Sequence, residues 1–307
     1  MDILVGHTGF VGSNLYEQHN FDGIFNSKNI ADAFGLNPGL CVYAGVRAEK
    51  FLANNDPKAD MTDIESAIEI IKQISPKRLV LISTIDVFKM PYECDENTSV
   101  EENGLHAYGY NRYQLEKWCA DNITSCHILR LPGLYGKNIK KNFIYDLIHV
   151  LPSALDETKF NEFSAKERII QTCYAKQKNG FYSLKAITNN ERSKLLDAFS
   201  RLKFSALNFT DSRAIFQFYN LDYLWEHITF VIKNDVRLLH LAVEPVNAND
   251  LYRAVRGESF YNKTMNNPPL YDFRTIYADK LGGDSGYIYK KSKIIREVAE
   301  FINLTTS

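Results

Sequence analysis

The sequence predicts an α/β fold, a doubly wound parallel sheet with a smaller C-terminal lobe. The chain opens with the apolar run Asp2-Ile3-Leu4-Val5, which ends in three glycines at G-x-x-G-x-x-G spacing and leads at once into helix-forming residues. Further short apolar runs then alternate with segments of helical periodicity, which is typical of parallel sheets. We expect residues 1–150, with 213–240 returning to them, to form the sheet domain. Residues 151–212 and 241–307 are then expected to form a substrate-binding lobe.

Composition excludes several classes of partner. The 307 residues have a formal net charge of -1 and are 45% hydrophobic and 24% charged, as in an ordinary globular protein. That balance gives no electrostatic reason to expect nucleic acid or an anionic membrane as a partner. No apolar run approaches membrane-spanning length, and Met1 leads directly into a strand. The five cysteines form no C-x-x-C pair, so we expect a reducing cytoplasm and no metal site.

The glycine triad predicts a dinucleotide site of the Rossmann type. Gly6 allows the tight turn, Gly9 lets the backbone approach the phosphates, and Gly12 lets the first helix pack closely on the strand. The pyrophosphate is expected at the N-terminus of that helix. The alternative is a strand-to-helix turn that holds no ligand. The residues expected to contact the cofactor here are Gly6, Thr8, Gly9, Phe10, Val11 and Gly12.

The end of the second strand predicts which nucleotide is bound. Asn26-Ser27-Lys28-Asn29 has no acidic residue to bond the ribose hydroxyls of NAD. Ser27 and Lys28 suit the 2′-phosphate of NADP, which is therefore favoured, with NAD as the alternative. Lys28 as an ordinary surface lysine is the other interpretation. Ala44-Gly45, at the end of the third strand, provides small residues against which a cofactor can lie.

The central part of the chain continues the same pattern. Only about ten residues separate the second strand from the third, so one strand–helix pair is expected to be missing. Isoleucines at helical spacing predict a helix over 60–74, with Asp60 or Thr62 as its cap. The buried strand that follows delivers Ser83 and Thr84 to the sheet edge where ligands bind. Residues 286–302 are expected to form a strand followed by an amphipathic helix.

Four motifs resemble those of the extended short-chain dehydrogenase/reductases that act on nucleotide sugars. The resemblance runs from residue 1 to about 145 and resumes near 213–255. Two branches are similar, the dTDP-4-dehydrorhamnose reductases and the GDP-fucose synthases, of which the latter use NADP. In order, the motifs are Gly6-His7-Thr8-Gly9-Phe10-Val11-Gly12, Ser83-Thr84-Ile85-Asp86-Val87-Phe88, Tyr108-Gly109-Tyr110-Asn111-Arg112 with Glu116, and Arg130-Leu131-Pro132-Gly133-Leu134-Tyr135-Gly136.

The resemblance implies the catalytic residues. In the family a tyrosine is the acid/base, a Ser or Thr hydroxyl steadies the carbonyl oxygen, and a lysine one helical turn on lowers the tyrosine pKa. By position these are Thr84, Tyr108 and Arg112, with arginine in place of the lysine. Tyr113 and Lys117 also satisfy Y-x-x-x-K. Five residues turn a helix by about 140°, so both pairs cannot face one cofactor; the flanking motif favours Tyr108.

Three further residues are candidates for the substrate. Asp86 stands where the family's 4,6-dehydratases place a glutamate base, but their preceding acid position is Ile85 here. Asn142 belongs to an Asn-Phe pair similar to that of the reductase branch. Arg213 precedes a predicted strand where family members often bind the nucleotide pyrophosphate, an anion that suits a bidentate donor; a surface salt bridge is the alternative.

These observations favour an NADP-dependent oxidoreductase or epimerase of carbohydrate biosynthesis that acts on a nucleotide sugar. Reduction of a 4-keto sugar is expected first, or epimerisation at carbon 4. One alternative is a non-catalytic dinucleotide sensor or scaffold, because Arg112 replaces the lysine. Another is a 4,6-dehydratase with tightly held NAD. The resemblance also implies a homodimer.

Overall fold

The computed structural model describes residues 1–177 and 179–306. Strands and helices alternate through the first half of the chain, as expected. The strands are β1 (Asp2–Val5), β2 (Gly23–Phe25), β3 (Leu40–Tyr43), β4 (Leu79–Thr84), β5 (Cys126–Leu131), β6 (Gly133–Tyr135), β7 (Ala154–Leu155), β8 (Tyr174–Lys176), β9 (Tyr182–Leu184), β10 (Ile215–Phe216), β11 (Phe218–Asn220), β12 (Leu238–His240) and β13 (Val246–Asn247). The helices are α1 (Phe10–Gln18), α2 (Lys50–Asn55), α3 (Pro57–Ile74), α4 (Ala107–Asn122), α5 (Phe143–Ile148), α6 (Glu157–Lys166), α7 (Arg168–Cys173), α8 (Asn189–Arg201), α9 (Leu224–Lys233), α10 (Ala248–Arg256) and α11 (Lys291–Thr306).

The first of two compact units comprises residues 1–139, 215–246 and 269–297. At its centre is a six-stranded sheet in the order β12-β5-β4-β3-β1-β2, in which neighbouring strands pair in parallel. The strand order reverses beside β1, because β2 lies on one side of it and β3 on the other. In sheets of this kind, ligands bind at the carboxyl ends of the strands between which the order reverses, here β1 and β3. The predicted fold class is confirmed.

Helices α3 and α4 cover one face of this sheet. Asp56 caps α3 by accepting the N–H of Ala59 at 3.1 Å, Pro57 occupies the first helical position, and Ser75 ends the helix with φ 53°. The predicted cap was therefore wrong, and the helix begins before residue 60. Apolar side chains of α3 at helical spacing are fully buried against the sheet, which accounts for the packing of this layer.

The second unit comprises residues 140–214 and 247–268 with the end of the chain from 298. Its sheet is a three-stranded antiparallel one in the order β7-β9-β8, and a turn at Asn179-Gly180 lies between β8 and β9. A separate core, with Leu155, Phe163 and Phe199 among its buried members, packs α6, α7 and α8 around this sheet.

Two details differ from the sequence-based expectation. Residues 269–297, expected in the substrate lobe, belong to the first unit. The amide of Gln217 explains this, because it binds the backbone of Phe273 through both its donor and its acceptor. The strand expected from residue 286 is not formed either. The backbone there makes a tight turn between Asp284 and Tyr287 and bonds several separate partners instead of one neighbouring strand.

Among the helices that the structure describes, none combines the length and the apolar character that crossing a membrane requires.

Candidate active site

Tyr108 and Thr84 meet at the carboxyl end of β4. Thr84 is the last residue of that strand, and Tyr108 lies in the first turn of α4. The hydroxyl of Thr84 accepts the N–H of Asp86 at 3.1 Å and also interacts with the Tyr108 phenol, which lowers the pKa of Tyr108. Burial acts more strongly in the opposite direction, because the Tyr108 side chain is only 8% exposed, and the net result is a pKa above the ordinary value for tyrosine. The phenol is therefore protonated at neutral pH.

The first turn of α4 is held in place by several local contacts. The backbone N–H of Tyr108 donates to Asn54 Oδ1 at 2.9 Å, and His106 caps the helix by accepting the N–H of Gly109 at 3.0 Å. A Cβ on Gly109 would lie 3.0 Å from the carbonyl carbon of Asp86 and closer still to its oxygen. The absence of a side chain at residue 109 therefore allows α4 to approach the turn that follows β4, which places Tyr108 beside Thr84.

Arg112 lies under the ring of Tyr108, with its guanidinium carbon 3.9 Å from the ring centroid. Its side chain is 5% exposed and forms a salt bridge with Asp60, which is 8% exposed. The guanidinium also donates to the carbonyl oxygens of Arg47 at 2.5 Å and Tyr108 at 3.3 Å. Asn111 donates to the same carboxylate oxygen of Asp60 at 2.8 Å. Arg112 is thus a fixed cation at the face of the phenol ring.

The alternative pair, Tyr113 and Lys117, faces a different part of the unit. The ammonium of Lys117 donates to Glu102 at 2.7 Å and lies 5.1 Å from the ring centroid of Tyr113. The Lys117 side chain is 38% exposed. The structure therefore groups Thr84 with Tyr108, and Lys117 with Glu102.

Asp86 follows Thr84 in a short 3-10 turn and has two partners. One of its carboxylate oxygens accepts the Tyr271 hydroxyl at 3.0 Å and lies 3.0 Å from the ammonium of Lys50. Asp86 raises the pKa of Tyr108 by charge, although less than burial does. Ile85, at the position of the dehydratase acid, is 1% exposed and packs in an apolar cluster with Phe88.

Ser83 was predicted to contact the cofactor, and its hydroxyl donates to Glu116. Glu116 also forms a bidentate salt bridge with Arg130, with the shorter contact at 2.7 Å. Both charged side chains are at most 5% exposed. This network joins α4 to the two central strands β4 and β5 and so supports the placement of Tyr108 relative to Thr84.

The glycine turn has the form of a dinucleotide cradle. Gly6 has φ +91°, and a Cβ there would lie 2.6 Å from the carbonyl carbon of Ala44. A Cβ on Gly12 would lie 2.7 Å from the carbonyl carbon of Gly6. These glycines let the turn after β1 approach the end of β3 and let α1 pack on that turn. The residues present therefore fit a pyrophosphate at the N-terminus of α1.

The predicted 2′-phosphate residues lie at the carboxyl end of β2. The side chains of Asn26 and Asn29 shape this turn: Asn29 accepts the N–H of Asn26, and Asn26 accepts the N–H of Lys28, both at 2.8 Å. Ser27 and Lys28 are exposed. His7 bonds the carbonyl of Phe25 at 3.1 Å, which links this turn to the glycine turn.

Asn142 and Arg213 belong to the second unit. The Asn142 side chain caps α5 by accepting the N–H groups of Ile144 and Tyr145, and the residue has φ 106°, which is uncommon for any residue other than glycine. Arg213 forms a bidentate salt bridge with Asp211, with contacts of 2.9 and 2.8 Å. This pairing holds the pKa of Asp211 below its usual range.

Sequence reasoning missed three residues of the Tyr108 site: Lys50, Asp60 and Tyr271. The sequence pattern predicted for Asp60 only a possible role as a helix cap. The sequence signal available for Asp60 was its position at the start of the apolar face of α3, where its side chain is expected to be buried. A buried arginine requires a carboxylate partner, and Asp60 provides one. No local pattern marks Lys50 or Tyr271.

The comparisons with known proteins concern the fold. No protein-family model matches the sequence, and no match is found among curated protein sequences. Solved structures do match over the whole chain. The dTDP-4-dehydrorhamnose reductase of Clostridium acetobutylicum is 13% identical with a TM-score of 0.62, and the match covers 100% of both chains. The dTDP-4-dehydrorhamnose reductase of Bacillus anthracis, solved with NADP, is 14% identical with a TM-score of 0.62, covering 100% of this chain and 99% of that one.

A third match is the UDP-glucose 4-epimerase of Thermotoga maritima, solved with UDP-glucose. It is 13% identical with a TM-score of 0.61, and the match covers 100% of both chains. Identities this low establish that the folds are alike. They do not establish the reaction, which has to be inferred from the residues of the site. The chain therefore has the fold of the extended short-chain dehydrogenase/reductases, the family that its motifs resemble.

Proposed function

We propose that this chain is an NADP-dependent oxidoreductase that reduces the 4-keto group of a nucleotide sugar. The observation behind the proposal is the placement of Thr84 at the carboxyl end of β4 and of Tyr108 in the first turn of α4, with Arg112 beneath the phenol ring. The glycine turn after β1 opens at the same edge of the same sheet. The likeness to reductase and epimerase structures supports the same class of reaction.

Each residue has a defined part in this reaction. Bound NADPH supplies a hydride. The Thr84 hydroxyl holds the carbonyl oxygen of the sugar, and the Tyr108 hydroxyl donates its proton to that oxygen as negative charge develops on it. Because burial raises the pKa of Tyr108, the phenol is protonated at neutral pH and suited to act as an acid. The protonated phenol is the form from which reduction starts, whereas the reverse oxidation starts from the phenolate.

The remaining assignments are also proposals. Ser27 and Lys28 are placed to bind the 2′-phosphate of NADP, since both are exposed at the end of β2. Asp86 is assigned to the sugar, and Asn142 and Arg213 to the nucleotide part of the substrate. The uncommon φ of Asn142 supports its role, because such strain often occurs at functional sites. All five cysteines are free and buried, which supports a cytoplasmic location; a homodimer remains a proposal.

The test uses the purified protein with NADPH and 4-keto-6-deoxyhexoses linked to dTDP or GDP. We expect oxidation of NADPH with formation of the reduced sugar, measured by absorbance and mass spectrometry. Tyr108→Phe is expected to lower the rate by about 100-fold or more. Tyr113→Phe is the matched control and keeps the rate. Equal rates for the wild type and Tyr108→Phe would overturn the proposal.

A non-catalytic dinucleotide binder is the second candidate. It is favoured by the contacts of Arg112, whose guanidinium is bound to Asp60 and to the carbonyl of Arg47 and so is fixed within the protein. This candidate predicts that NADP raises the melting temperature while no 4-keto sugar is reduced. It also predicts that Arg112→Lys creates an activity that the wild type lacks. Turnover by the wild-type protein would exclude it.

A further inference from the structure

Helix α2 brings a lysine to the Tyr108 site that belongs to none of the motifs. Lys50 is the first residue of α2, and Asn54 lies one turn later on the same helix. Asn54 accepts the backbone N–H of Tyr108 at 2.9 Å. Because residues four apart lie on one face of a helix, this bond turns the Lys50 side of α2 toward the start of α4.

The ammonium of Lys50 has a specific partner at this site. It lies 3.0 Å from a carboxylate oxygen of Asp86, the oxygen that also accepts the Tyr271 hydroxyl at 3.0 Å. The Lys50 side chain is 40% exposed, whereas that of Asp86 is 18% exposed. Lys50 therefore compensates a carboxylate that is largely withdrawn from water, while its own ammonium keeps access to solvent and can reorient.

Arg112 differs from Lys50 in its exposure to solvent and in its freedom to reorient. Its guanidinium is 5% exposed and is held by Asp60 and by two backbone carbonyl oxygens. An arginine fixed in this way keeps a constant positive charge near the ring. It cannot change its position when the phenol gains or loses its proton. Of these two cations described beside Tyr108, Lys50 is the one whose charged group can change its position.

We propose that Lys50 is a positioning residue that acts through Asp86 and supplies the adjustable positive charge beside Tyr108. While the ion pair is intact, the ammonium offsets part of the charge of Asp86, which still raises the pKa of Tyr108. Without the ammonium, a partly buried carboxylate faces the phenol. The effect of Lys50 on catalysis rests on the proposed function. Its effect on the ionisation of Tyr108 does not.

The charged and titratable groups around Tyr108 come from every element packed against it. They are Arg112 and the capping His106 on its own helix, Asp86 after β4, Asp60 on α3, Lys50 on α2 and Tyr271 from the segment 269–297. Arg112 lowers the pKa of Tyr108, and Asp86 and Asp60 raise it. Removing Lys50 leaves the Asp86 charge unbalanced, so the pKa of Tyr108 is expected to rise by about one unit.

The first experiment measures this ionisation directly, without cofactor or substrate. Difluorotyrosine, which ionises near neutral pH, replaces Tyr108 in the full-length protein, and its titration is followed by fluorine NMR. Lys50→Met is expected to raise the pKa of the fluorinated phenol by about one unit. Lys50→Arg restores the wild-type value, and Lys233→Met, at an exposed lysine of α9, leaves it unchanged. In an Asp86→Asn background, Lys50→Met loses most of its effect.

The second experiment uses the pH profile of the reduction catalysed by the protein with its natural Tyr108. The basic limb, where the acid loses its proton, is expected to move to higher pH in Lys50→Met and to return in Lys50→Arg. If neither the titration nor the profile differs between the wild type and Lys50→Met, the inference is wrong. If no nucleotide sugar is reduced but the titration shifts as expected, the proposed function fails and the role of Lys50 stands.

Discussion

Gly109 offers a sharp test of how α4 is placed. The residue lies in the first turn of the helix, next to Tyr108, and faces the carbonyl group of Asp86. In an open helix, replacing glycine by alanine stabilises by up to about 1 kcal/mol, because the backbone of alanine loses less entropy. The close approach of Gly109 to the carbonyl group of Asp86 predicts that alanine destabilises the protein at this position.

The magnitude follows from the contacts of the added methyl group. It would lie 3.0 Å from both the carbonyl carbon of Asp86 and Cε1 of His106, and nearer to the Asp86 oxygen, whereas ordinary contacts begin at 3.4 Å. The start of α4 must therefore move away from the turn after β4. Overpacking of this kind costs about 1–3 kcal/mol, which outweighs the gain in helix propensity. The same movement displaces Tyr108 relative to Thr84, and a displacement of about 1 Å lowers turnover by about 100-fold.

Urea unfolding and NADPH-dependent turnover would be measured on Gly109→Ala and on a calibrating variant of the same helix. Ala120→Gly, at an exposed position, measures helix propensity alone and is expected to cost at most about 1 kcal/mol. Gly109→Ala is expected to be destabilised as well. A gain in stability with unchanged turnover would show that the approach of α4 to Asp86 does not constrain the site.

Three further predictions concern charge. Lys28→Met is expected to weaken binding of NADP by about tenfold and to leave NAD unaffected, as measured by thermal shift; an equal loss for both would contradict the 2′-phosphate assignment. Glu116→Ala leaves the buried guanidinium of Arg130 without its carboxylate and is expected to cost about 3–5 kcal/mol in urea unfolding, so a loss below about 1 kcal/mol would refute the argument. Burial lowers the pKa of His227 from its ordinary 6.5 to about 4, so the folded state loses stability as the pH falls through that interval, by about 1.4 kcal/mol per pH unit. His240, whose pKa burial lowers to about 3, adds to the same slope. Because the Tyr219 hydroxyl bonds His227 at 2.6 Å, Tyr219→Phe is combined with His227→Leu, which should reduce the slope by about 1.4 kcal/mol per pH unit, whereas an unchanged slope would exclude a contribution of His227.

Much of the fold could be predicted because its signals are local. The first strand has the predicted bounds, Asp2–Val5, and the second ends at Phe25, directly before the predicted turn at Asn26, since short apolar runs between turn residues define both. The expected strand near residue 286 is not formed, and the reason cannot be seen in the local sequence. Tyr287 and Ile288 are buried there, but the backbone of Ile288 bonds the carbonyl of Ala242 and no continuous partner strand is adjacent.

The candidate site could be predicted only where its residues stand in motifs. Thr84, Tyr108 and Arg112 are marked by spacing along a strand end and one helix face. Lys50 looks like a solvated helix residue, Asp60 stands out only by its place on the apolar face of α3, and their relation to Tyr108 exists only once α2 and α3 are packed against α4. Long-range ion pairs of this kind depend on topology, so no local pattern specifies them.

The two ion pairs around Tyr108 bear on the direction of the reaction. Arg112 is paired with Asp60, and Lys50 with Asp86, so each cation is balanced by a carboxylate close to the phenol. Charge alone therefore gives little net stabilisation to a phenolate, and burial of Tyr108 determines the sign of its pKa shift. An unbalanced cation would favour the ionised form, which an oxidation requires as a base. The balanced arrangement keeps the proton on Tyr108, and a residue that holds its proton at neutral pH is suited to donate it to the oxygen of a ketone that is being reduced.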